Sequence, residues 1–132
     1  MSTSVTDDIA TWLADKGIGT KGTSIFRGYL PPTPVDCLGV FASGGSAADL
    51  VGNIDNPSVQ VLVRASSYTN AETVAYNVFN NLHGVTETTI GNTRYLLIEA
   101  LQDPVFVGQN ENGHYLFSVN FRIMRENTSH VY

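Results

Sequence analysis

Residues 59–84 read "VQVLVRASSYTNAETVAYNVFNNLHG", and inside this stretch the period of the apolar residues changes from two to 3.6. At its start Val59, Val61 and Val63 alternate with Gln60, Leu62 and Arg64, as in a strand with one strongly apolar face. Further on, Ala71, Val74, Ala75, Val78, Phe79 and Leu82 form a complete helical stripe, while Glu72, Asn77, Asn80 and Asn81 lie off it. Thr69 and Glu72 fit a T-x-x-E capping box at the helix start, and Gly84 closes its end. A helix this one-sided must bury its stripe, and a sheet containing 59–65 is the large apolar partner the chain offers.

Towards the N-terminus the chain reads as helix, strand, connector, strand. Val5, Ile9, Trp12 and Leu13 recur at helical spacing over residues 4–16; Ser4 and Asp7 match a capping pattern and Gly17 follows as a stop. Asp7 and Asp8 in the first turn and Lys16 in the last complement the helix dipole. "SIFRGYL" reads as a strand, the three prolines of "PPTPV" as a connector, and "DCLGVFAS" as a second strand. The stretch "SGGSAADLVGNIDNPS" that follows is rich in turn residues and reads as a loop.

Towards the C-terminus everything reads as strand. Gly91-Asn92 sets a tight hairpin between "VTETTI" and "TRYLLIEALQ". "DPVFVGQ" then turns through "NENG" into "HYLFSVNFRIMRE". In that last run Tyr115, Phe117, Val119, Phe121 and Ile123 share one face and Leu116, Ser118, Asn120, Arg122 and Met124 the other. The expected fold is therefore α+β, in the order α-β-β-β-α-β-β-β-β. Its sheet is mixed but mainly antiparallel, of five to seven strands, with both helices on one face and the other face uncovered. One domain covers residues 1–132, with about 127–132 as a flexible tail.

Composition narrows the function classes. Twelve acidic residues against seven Lys and Arg give a net charge of −5, and the cations are scattered, so the clustered phosphate neutralisation of a nucleic-acid binder is missing. Charged residues make up only 14%, against about 25% in an average domain. A surface that poor in charge suits large protein contacts. The single cysteine, Cys37, sits in an apolar run and reads as a small buried hydrophobe. With no basic and apolar leader and no apolar run near eighteen residues, the expectation is a soluble chain made in a cytoplasm, without a membrane.

"FASGGSAADL" at 41–50 has the look of a phosphate-cradling loop, but no lysine follows Gly44 and Gly45 before Arg64, and Asp49 has the wrong sign. Ser46 does not stand in a nucleophile elbow, since Ala47 and Ala48 follow it. His83, His114 and His130 are not spaced as metal ligands; dipole complementation at a helix end accounts for His83. Among the carboxylates Glu99, alternating with Leu97 and Leu101, is the one to watch, with Arg64, Arg94 or Arg122 as a partner across the sheet or across a subunit boundary. The residues point to no catalytic centre, cofactor or metal.

Several segments together carry a resemblance: "ADKGIGTKGTSIFRGYLP", "SGGSAADL", "PSVQVLVRA" after an Asp-Asn-Pro turn, "AYNVFNNLHGV", "IGNTRYLLIEALQDPVFVGQNENG" and "FSVNFRIMRE". In this order and spacing the chain resembles the small minor structural proteins of tailed phages, minor capsid proteins similar to the tail terminators of long-tailed phages. The resemblance runs from the first helix to about Glu126. It implies a virion protein without enzymatic activity or cofactor, made in the host bacterial cytoplasm and placed at the head-tail junction. Such a protein forms a homo-hexameric ring that caps the tail tube and stops its growth. Its partners are its own copies, the major tail tube protein and a head-tail connector or stopper, with DNA only passing through the lumen.

Within that frame Arg64, Arg94, Arg122 and Glu99 are the expected subunit-interface residues. Two loops are the expected contacts to tube or connector, one carrying Gly44, Gly45, Ser46, Asp49, Asn53 and Asp55, the other Asn110, Asn112 and His114. Another ring protein of the junction, a stopper or tail-completion protein, is the nearest alternative. A small-molecule-binding α+β domain is a more distant one, because it needs convergent polar groups in a pocket.

Overall fold

The computed structural model describes residues 4–46 and 54–126. The elements follow in the expected order: α1 (Val5–Asp15), β1 (Ile25–Arg27), β2 (Cys37–Ser46), β3 (Ile54–Ala65), α2 (Tyr68–Leu82), β4 (Val85–Ile90), β5 (Thr93–Ala100), β6 (Val105–Gln109) and β7 (Tyr115–Glu126). They build a seven-stranded sheet of order β1-β2-β3-β7-β5-β4, with β6 beside β7 next to the end of β5. Only the β1–β2 pairing is parallel. The sheet is open, and the architecture is α+β.

Register explains where the core lies. Val40 faces Val61, which faces Val119, and Leu38, Val63 and Phe117 make the next such row. All six are buried on the side that receives Ile9 and Leu13 of α1 and Ala71, Ala75, Val78 and Leu82 of α2. These four α2 residues belong to the stripe read from the sequence; Val74 and Phe79 of the same stripe lie half-buried at its border. The two helices meet at Trp12, whose indole Nε1 donates to the Asn81 carbonyl at 2.8 Å while Lys16 Nζ stands 4.4 Å over its ring.

The helix ends differ in detail from the expected caps. Ser4 is the N-cap of α1, yet its Oγ bonds Thr6 Oγ1 and makes no cap bond to the backbone. Gly17, at φ +78°, takes the chain out of α1 in a conformation that a side chain would resist. α2 begins before the expected capping box: Ser67 is the N-cap, and its Oγ accepts from the Asn70 N–H at 3.2 Å. Tyr68 therefore enters the first turn, where its ring packs against Tyr115 and Phe117 of β7. Tertiary packing at the tyrosine outweighs the local Thr69–Glu72 pattern.

The largest departure concerns β2 and β3. Gly44, Gly45 and Ser46 belong to β2, and Ile54, Asp55, Asn56 and Pro57 to β3, where a turn-rich loop is expected. Gly45 pairs with Pro57 and Ser46 with Asn56, after a register shift at Ala42–Gly45 where Gly44 adopts φ +96°. A bulge with glycine in that conformation lets the ladder continue. Pro57 is tolerated because the β3–β7 pairing passes from Asp55–Arg125 to Ser58–Arg122, across the residue that lacks an N–H. Asp49, Asn53 and the expected tail at 127–132 lie outside the described residues.

Candidate functional site

Several polar clusters organise the molecule, and only some involve the residues expected to carry function. Arg64 is 8% exposed and lies at one end of the face opposite the helices. Its guanidinium donates to the carbonyls of Pro34 (3.0 Å), Val35 (2.9 Å) and Pro31, and touches Cys37 Sγ at 3.3 Å. Arg64 thus clamps the proline connector onto the sheet instead of meeting an acidic neighbour. This corrects both the expectation of an ion pair there and that of a wholly uncovered face. Burial pushes the Cys37 thiol up, against the opposing pull of Arg64, and keeps it protonated.

A cavity of about 260 Å³ beside this clamp is lined by Ser24, Asp36, Asn70 and Val74 among others. Of its polar groups, Asp36 Oδ1 accepts from the Ser66 N–H and Ser24 Oγ from the Thr20 N–H, and both thereby serve the fold.

Glu99 and Arg122 stand directly opposite each other on β5 and β7 and form an ion pair on the exposed face. Arg94 lies near the far edge, where it meets Glu87 at 3.2 Å and Glu126 at 3.0 Å. Asn110 organises the β6–β7 turn: its Oδ1 accepts from the Asn112 and His114 N–H groups, both at 3.0 Å. The described structure therefore separates these residues into an edge, a face and a turn. His83 caps α2 with its Nδ1 accepting from the Ala100 N–H at 2.9 Å, a bond to a neighbouring strand in place of the expected dipole contact.

The cluster that sequence reading missed is the most buried. Tyr95 Oη donates to Asp8 Oδ2 at 2.6 Å, and Arg125 Nη1 donates to Tyr95 Oη at 3.2 Å. Arg125 also reaches Asp55 Oδ2 through Nε (3.2 Å) and Nη2 (3.1 Å). Asp55, expected in a contact loop, is instead part of this internal network. Burial foremost, then the Asp8 carboxylate, drives the Tyr95 phenol well above its ordinary range. Burial alone would lower Arg125, but Tyr95 and Asp55 outweigh it and hold the guanidinium charged. The signal was present: continuing the alternation of β7 one step past Ile123 places Arg125 on the apolar face.

These arrangements hold elements together. Among the described residues no group of three or more His, Cys, Asp and Glu could hold a metal ion, and no buried side-chain nitrogen or oxygen lacks a partner. No described helix is long and apolar enough to cross a membrane.

Fold and clusters together define a small α+β domain whose buried polar groups are spent on its own architecture. The chain belongs to the bacteriophage tail terminator family, whose model matches residues 12–127. It is accordingly a structural protein of the phage tail. The fold is shared with a chain of the virion of a native gene transfer agent particle, at 17% identity and a TM-score of 0.61 over 95% of this chain and 87% of that one. No curated protein matches the chain.

Proposed function

We propose that this chain is the terminator subunit itself: six copies form a ring on the end of a finished tail tube, stop its growth and present a surface to the head connector or stopper. The family match across residues 12–127 carries this reading. In the ring, DNA passes through the lumen without sequence recognition, and the acidic balance of −5 keeps its phosphates from being held. A closed ring requires a heterologous interface, in which one patch of each subunit meets a different patch of the next. Arg94, Arg122 and Glu99 remain candidates for part of it, as do the turn at Asn110, Asn112 and His114 and the β2–β3 connection around Gly44, Gly45 and Ser46 for contacts to tube or connector. Neither cofactor nor chemical step enters this role, and its place is the head-tail junction of the virion after synthesis in the host bacterial cytoplasm.

Mass measurement of the purified protein, alone and mixed with tail tubes, tests the reading. A hexamer mass and occupancy at tube ends are expected. A stable monomer that never binds tube ends would overturn it.

A further inference from the structure

The described residues leave one sheet edge both open and apolar. β6 has β7 on one side and no strand on the other, and Val105, Phe106 and Val107 are 38%, 43% and 56% exposed. Leu101 (57%) and Tyr68 (42%), whose ring meets Phe106 at 5.2 Å, extend the patch. Large apolar side chains exposed to this degree along one edge mark a contact surface. The other edges are guarded. On β1 the outward N–H and C=O of Ile25 are taken by Thr20 and Gly22. On β4, Glu87 breaks the strand geometry at φ +47° and Thr88 Oγ1 covers the Thr86 carbonyl.

The occupant is suggested by a single row of the sheet. Phe26, Gly39, Leu62, Ser118 and Val105 are successive partners across β1, β2, β3, β7 and β6, so β1 and β6 are the two ends of one row, about 19 Å apart. Between α1 and β1, at the end opposite β6, lies a groove of about 290 Å³ with Ala10, Phe26 and Tyr29 along it and the Asp7, Lys21 and Arg27 cluster at its rim. Tyr29 is 55% exposed. A second copy placed beyond the β6 end of the row and rotated about a common axis brings this groove to β6, so that two different patches meet, as a closing head-to-tail ring requires. The segment Leu101–Val107 carries one charged residue, Asp103, and the groove's own charges, Asp7, Lys21 and Arg27, are already paired with one another, so docking strips no charge of its partner.

We propose that the β6 edge of one copy, with Phe106 and Val107 at its centre, docks into the α1–β1 groove beside Tyr29 of the next. The proposal rests on the ring reading above and specifies its interface. The test is thiol cross-linking of the full chain carrying both Val107→Cys and Tyr29→Cys, with a short bis-maleimide, on the free protein and on capped tubes; buried Cys37 stays out of the reaction. A ladder of multiples is expected from the double variant and none from either single one. Val107→Asp should weaken self-association about tenfold or more with an unchanged thermal melt.

Dimers from Val107→Cys alone would mean a two-fold contact and overturn the proposal, as would cross-links to tube subunits or no ladder from the double variant. If the ladder is missing while tubes are still capped, the docking mode falls and the terminator reading stands. A ladder without any binding to tubes supports the docking and removes the terminator reading.

Discussion

Arg125 shows how one residue can tie four elements. It projects from β7 towards Tyr95 on β5, Asp55 on β3 and, through Tyr95, Asp8 on α1. Removing one member of a buried charged group leaves the others desolvated and unmatched. Arg125→Met should therefore cost about 3 kcal/mol in denaturant unfolding. Tyr95→Phe, which deletes only the phenol, should cost about 2 kcal/mol. The phenol also sets an alkaline signature. Its folded value lies above its ordinary 10.0, so the stability it contributes is complete below about pH 10 and is lost as pH rises towards the folded value. The stability of Tyr95→Phe, followed against pH above 10, should fall less steeply than that of the parent.

Elements were legible where a period runs long enough and illegible where tertiary pairing overrides composition. The α2 stripe from Ala71 to Leu82 fixes which side of that helix is buried, and the structure buries it. The start of α2 is another matter, because Thr69 and Glu72 look like a box while Ser67 does the capping. Ser67→Ala should lower stability by about 1 kcal/mol and Thr69→Ala by much less, as thermal melts of the two variants can establish. Gly44, Gly45, Asn56 and Pro57 concealed the ends of β2 and β3, since each disfavours a strand locally and only the ladder between them explains the extension. At the root of α1, Asp7 accepts from Lys21 Nζ at 2.7 Å and from Arg27 Nη1 at 3.2 Å. The Lys21 hydrogen bond foremost lowers this carboxyl below its ordinary 3.8, against the opposing effect of burial. Its contribution is present above that value and is lost as pH falls through the depressed one. Asp7→Asn should therefore show a shallower loss of stability below pH 4 in acid titration.

For the whole molecule, periodicity could say which side of each strand is apolar but not whether anything covers it. "DPVFVGQ" reads correctly as a strand, yet its exposure emerges only from its position beside β7. The candidate interface residues suffered the same blindness. Arg64 and Asp55 turned inward, and nothing in their local sequence distinguishes them from Arg94 and Arg122, which remain on the surface. The two possible subunit contacts differ in their response to ions. At 1 M salt the screening length shrinks to about 3 Å, which weakens exposed ion pairs and leaves apolar burial intact. Oligomer mass should therefore hold between 0.1 and 1 M salt if β6 carries the contact. Dissociation with rising salt would assign it to Arg94 and Arg122.

Trp12, the single tryptophan, joins α1 to the end of α2 and lines neither β6 nor the α1–β1 groove. The protein consequently has a built-in optical reporter for one seam. Its emission should shift when the helices separate during unfolding and stay constant while subunits associate, so that folding and assembly can be followed in the same cuvette as independent signals.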